Sequence, residues 1–86
     1  MLKLLVYIDT SRASQHAIDY IAPITRDRDV DVTLLTAMRD PTAAADLFSR
    51  TASKLFAPAI RHVHSTEAPD TALIHEAQRG DYDLAV

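Results

Sequence analysis

Leu2-Lys3-Leu4-Leu5-Val6-Tyr7-Ile8-Asp9-Thr10-Ser11 decides the fold. Residues 2–8 are almost wholly apolar, with Lys3 the exception, and the run stops at the turn-forming Asp9-Thr10-Ser11. A short apolar run bounded in this way predicts a strand buried on both faces, the kind found in a parallel sheet covered by helices. A helix is expected directly after it. Ser11 is placed to cap that helix, its hydroxyl accepting from a free backbone N–H of the first turn. Ala13, Ala17, Ile18, Ile21, Ala22 and Ile24 then recur at helical spacing. Pro23 falls inside the pattern and is expected to kink or shorten the last turn. Arg26-Asp27-Arg28-Asp29 is polar and ends it.

The same alternation continues along the chain. Residues 30–37, Val-Asp-Val-Thr-Leu-Leu-Thr-Ala, are rich in β-branched side chains and predict a second strand. Met38-Arg39-Asp40-Pro41 reads as a turn, and residues 42–56 as a helix with Ala43, Ala44, Leu47, Phe48 and Leu55 inward, closed by Pro58. Residues 59–65 predict a third strand, with Ile60, His62 and His64 on one face and Arg61 and Val63 on the other. Pro69 suits the first turn of a third helix, where its missing N–H is no loss. Ala72, Leu73 and Ala77, with Ile74 beside them, form that helix's inner face. Gly80, the single glycine, is expected to cap it in the left-handed conformation. Asp81-Tyr82-Asp83-Leu84-Ala85-Val86 follows, and residues 82–86 read as the start of a buried fourth strand. The order β-α-β-α-β-α-β with short connections implies an α/β fold with an open parallel sheet and right-handed crossovers.

Composition narrows the function. The chain has 86 residues, 48% hydrophobic and 24% charged, which suits one small globular domain. A formal net charge of −3 without a basic run argues against nucleic acid as a partner. No apolar stretch has membrane-spanning length, and residues 2–8 lack the flanks and cleavage site of a signal peptide. With no cysteine, disulfides, thiol catalysis and thiolate metal sites are excluded, and a cytoplasmic location fits. A phosphate loop or dinucleotide fingerprint needs several glycines in the first turn, and this turn has none.

Two segments carry a family resemblance. One is Leu4-Leu5-Val6-Tyr7-Ile8-Asp9-Thr10-Ser11, followed by Ala17-Ile18-Asp19-Tyr20; the other is Ala68-Pro69-Asp70-Thr71-Ala72-Leu73-Ile74 and then Gly80-Asp81-Tyr82-Asp83-Leu84-Ala85-Val86. Together with Val32-Thr33-Leu34-Leu35-Thr36-Ala37, they resemble the universal stress protein family over residues 1–86. The resemblance implies a non-catalytic domain active in stress response, a sheet with strand order 3-2-1-4-5, and a homodimer. It also implies ATP as a candidate cofactor, because some members bind adenine nucleotides. Carried over by position, Asp9 lies near the nucleotide, Ser11 matches the family's serine, and Ala37 offers backbone groups to adenine. The family's glycine loop, last helix and fifth strand would follow Val86, so the 86 residues are expected to bind ATP poorly or not at all. Thr10 stands where the family often has glycine, Tyr7 where some ATP-binding members have proline, and Glu67-Ala68-Pro69 lacks the glycine often seen before the family's Asp-Pro pair.

Read from the residues alone, Asp9 is either a ligand-binding carboxylate at a strand's end or a turn residue held by local hydrogen bonds. Ser11 is read first as a helix cap. The pair His62 and His64 is too few for zinc, which needs three or four ligands, so the histidines are read as packed or partly exposed side chains. Ser11 or Ser14 with His16 lacks a strained nucleophile turn and an oxyanion site. No set of acid, base and nucleophile is evident, so the expected activity is binding, with dimerisation or regulation without nucleotide as the alternative. An open edge at the fourth strand is expected to draw a partner, with residues 83–86 at the contact.

Overall fold

A computed structural model describes residues 2–27, 29–56 and 59–86. Among them the elements are β1 (Leu2–Tyr7), α1 (Arg12–Asp27), β2 (Val30–Thr36), α2 (Pro41–Ala52), β3 (Ala59–His64), α3 (Pro69–Arg79) and β4 (Leu84–Ala85). The four described strands form one parallel sheet in the order β3-β2-β1-β4. β1 pairs with β2 from Leu2 opposite Val30 to Tyr7 opposite Leu35. On its other side β1 takes β4, with Leu4 opposite Leu84 and Leu5 opposite Ala85.

Period-two alternation splits the apolar strands between two cores. Leu4, Val6, Ile8, Val30, Val32 and Leu34 pack under Ile18 and Ile21 of α1 and Ala44, Leu47 and Phe48 of α2. On the opposite face, Leu5 and Leu35 meet Ala72 of α3 in a much smaller cluster. A right-handed crossover must change face when the winding changes direction. The chain winds outward from β1 to β2 and β3, then returns past β1 to β4, and α3 accordingly lies on the other face. The reversal makes a topological switch between β1 and β4, at whose carboxyl end such sheets place ligands.

Several expectations need correction. α1 continues through Pro23 to Asp27 and is not shortened by it. Pro23 and Asp19 are both exposed, so the Asp19 carbonyl that loses its partner faces water. Ala13 is exposed and Ile24 lies at the surface, while Thr25 is buried in their place. The Thr25 hydroxyl donates to the Ala22 carbonyl at 2.7 Å and accepts from Phe56 N–H at 3.0 Å, which satisfies a polar side chain in the core. α2 begins at Pro41, not 42, and ends at Ala52; Leu55 still packs inward from beyond the helix. The expected role of Pro58 lies outside the described residues.

At α3, Ala72 is buried and Leu73 partly so, but Ala77 is exposed. Gly80 has φ −92° and ψ 172°, an extended cap and not a left-handed one. Its value is spatial, since a Cβ there would collide with the Tyr82 ring. The last strand is not buried: residues 83–86 are all exposed, because in the described residues nothing lies on their outer side.

Asp40 is an N-cap hidden in the expected turn. Its Oδ1 accepts from Thr42 N–H at 3.0 Å, and its carbonyl accepts from Ala44 N–H at 2.9 Å. Asp40→Ala is therefore expected to cost about 1 kcal/mol, read as a lower urea midpoint at unchanged slope.

Candidate functional site

The carboxyl end of β1 is held by local chemistry. Ile8 N–H donates to the Leu35 carbonyl at 2.8 Å, extending the pairing with β2 past the strand's last residue. Asp9 then leaves the sheet. Its N–H donates to Ser14 Oγ at 3.0 Å, and its Oδ1 accepts from Ser11 N–H at 2.8 Å. Ser11 Oγ accepts in turn from Ser14 N–H at 3.1 Å, and the Ser11 carbonyl from Gln15 N–H at 3.2 Å. Ser11 is thus a side-chain cap on α1, as its residue type suggests. One Asp9 carboxylate oxygen is committed to the turn; among the described residues the other accepts no hydrogen bond.

Asp9 and Ala37 lie two residues past Tyr7 and Leu35, the last paired residues of β1 and β2. Ala37 is half-buried against the α3-face cluster, next to Thr36, whose carbonyl accepts from Ser65 N–H at 2.9 Å. Asp9, Ser11 and Ala37 therefore share one end of the sheet. Tyr7 joins them, its N–H donating to the Val86 carbonyl at 2.9 Å. Burial, and secondarily the Asp9 charge, raises the Tyr7 phenol above its ordinary pKa. A raised phenol favours the folded state below pH 10, its unfolded value, and that contribution fades as the pH climbs through the folded one.

The histidines are engaged separately. His62 stacks on Phe48 with ring centroids 4.6 Å apart, His64 Nε2 contacts the Met38 carbonyl, and His75 Nδ1 pairs with Glu67 Oε2 at 2.6 Å. Among the described residues, no three His, Cys, Asp or Glu side chains are grouped to hold a metal. No helix there is long and apolar enough to cross a membrane.

Of the cavities that indent the described surface, three are lined without Asp9, Ser11 or Ala37. A small one, of about 60 Å³, is polar and bounded by Lys3, Asp31, Arg61 and Tyr82. A cleft of about 230 Å³ lies between α3 and the ends of β2 and β3. The third, of about 220 Å³, runs between α1 and β4, and its walls are wholly apolar: Leu2, Leu4, Tyr20, Ile21, Leu84 and Val86 among them. Sequence reasoning missed this groove. Its signal was Tyr20 and Ile24 one turn apart on α1, together with Leu84 of β4 and Val86 two residues on, all lining the same groove. No family model, no curated protein and no solved structure matches this chain.

Proposed function

We propose that this chain is a universal-stress-like binding and association module, without catalysis of its own, that assembles with a second copy along β4. One observation carries the reading: an unpaired strand edge coincides with an apolar groove. β4 pairs with β1 on one side only among the described residues. Beside its free edge, Tyr20 is 78% exposed, Leu84 54% and Val86 44%. Free N–H and C=O groups on an edge invite another strand. A second strand laid there would satisfy them and cover the apolar side chains as well. Two copies related by a two-fold axis supply that strand to each other. Light scattering and sedimentation over a range of concentrations test this. A dimer is expected, and a monodisperse monomer at high concentration sinks the reading.

Adenine-nucleotide binding is the second reading, supported by the free Asp9 carboxylate oxygen at the switch end of the sheet, the end at which Ala37 also lies. There the carboxylate would accept from ribose hydroxyls, and the backbone after β2 would meet adenine. The phosphates need a glycine-rich approach, and the one glycine, Gly80, precedes β4 at the opposite end of the sheet. Millimolar ATP is accordingly expected to leave the melting temperature of the 86 residues unchanged. A tight ligand raises it by mass action, so a clear rise overturns this expectation. A rise confined to a longer chain that carries a glycine loop after Val86 supports the nucleotide reading. The role in stress response rests on the family resemblance.

A further inference from the structure

The cleft of about 230 Å³ between α3 and the carboxyl ends of β2 and β3 has a chemistry of its own. Its floor is apolar, formed by buried Leu35 and Ala72 with half-buried Val63. Along α3 its wall carries charge of both signs, because positions 72, 75, 76 and 79 share one helix face. Glu76 is set deep, its side chain only 11% exposed. Its Oε2 accepts from the Tyr82 hydroxyl at 2.8 Å. Its Oε1 stands 3.8 Å from Arg79 Nη1, too far for a hydrogen bond. Glu67 is spoken for by His75 at 2.6 Å, which ties the loop before α3 to the helix.

The cleft therefore presents an anionic acceptor and a cationic fork side by side over an apolar floor, a loose pair 3.8 Å apart with no hydrogen bond between its members. A cation alone would fill the first and be repelled by the second, and an anion alone the reverse. A molecule bearing ammonium and carboxylate on one carbon fills both, with the four charges alternating in sign. The Arg79 guanidinium suits a carboxylate because its planar fork can donate two parallel hydrogen bonds. We propose that this cleft binds a small zwitterion of the α-amino-acid class. Its ammonium sits on Glu76 Oε1, its carboxylate on Arg79, and a short apolar side chain lies over Leu35, Val63 and Ala72. The site is independent of assembly along β4, since the groove there lies on the α1 face of the sheet and this cleft on the α3 face.

Free L-valine is the probe, with isobutylamine as its decarboxylated half and 3-methylbutanoate as its deaminated half. Nitrogen-15 NMR of the labelled chain reads the amide shifts. L-valine is expected to move the amides of residues 63–67 and 72–79, and each half-ligand to bind at least about tenfold more weakly, the scale of one lost charge-assisted hydrogen bond. Glu76→Gln and Arg79→Gln should each weaken L-valine by about tenfold. Glu76 also holds Tyr82, so Arg79→Gln, at a side chain 74% exposed, decides the matter without disturbing the fold. No shift at millimolar L-valine, equal binding by either half-ligand, or undiminished binding by Arg79→Gln overturns the proposal.

Discussion

Leu5→Ala is expected to lower the stability of the chain by about 2–5 kcal/mol, seen as a large drop in the urea midpoint by circular dichroism. Leu5 is 0% exposed and sits in β1, the strand that pairs with both β2 and β4. Among the described residues the α3-face cluster has three buried members, Leu5, Leu35 and Ala72. Removing three methylene-equivalents from so thin a layer leaves a cavity with few neighbours able to close it. A chain of 86 residues holds roughly 4–13 kcal/mol in all, so the loss is a large fraction of the total. Ile74 is the control: it lies on the same helix as Ala72 but is 55% exposed, so Ile74→Ala should stay within about 0.5 kcal/mol. Equal midpoints for the two variants would mean that α3 does not bury Leu5.

That contrast marks what the sequence could reveal. β1 was legible because its residues are apolar almost without a break, and β2 because it is rich in β-branched side chains. The parallel sheet followed from strict alternation with short connections, a property of the chain as a whole, whereas the strand order was implied only by the family resemblance. The inward face of α3 was only half legible. Alanine carries too little hydrophobic signal to say which of Ala72 and Ala77 faces the sheet, and tertiary packing decided for Ala72. Thr25 was invisible for a different reason. A buried hydroxyl is tolerated only when it finds partners, and its partner Phe56 N–H is 31 positions away in the chain.

The candidate sites divide in the same way. Asp9 and Ser11 could be found because turn and cap chemistry is local, and their mutual hydrogen bonds span no more than five residues. The α3 cleft joins residues from β2, β3, the loop after β3, and α3. Its loosely joined pair, Glu76 and Arg79, looks in sequence like any surface i,i+3 ion pair. Only the depth of Glu76 and the claim of Tyr82 on its other oxygen set it apart. The apolar groove is hidden still more completely, because its walls come from β1, from α1 and from Leu84 and Val86 about sixty residues later.

Leu84→Lys is expected to separate the proposed dimer while leaving the monomer folded. Leu84 is 54% exposed in one copy, so the substitution costs the isolated fold little. Across a two-fold axis, however, it removes an apolar side chain from each copy. It also brings two ammonium groups toward each other beside the apolar surface of Tyr20 and Val86. Desolvating like charges is far more costly than losing contact area, and lysine on an open strand is a common way for proteins to prevent edge pairing. The dissociation constant should rise at least about a hundredfold, equivalent to about 3 kcal/mol. Ile74→Lys adds the same charge on the opposite face and should leave assembly unchanged, which separates a local clash from a general effect of charge. If sedimentation gives the same constant for Leu84→Lys as for the unaltered chain, β4 is not the contact. Should Tyr20→Lys then dissolve the dimer while Leu84→Lys does not, the copies meet through α1 alone, and the strand edge plays no part.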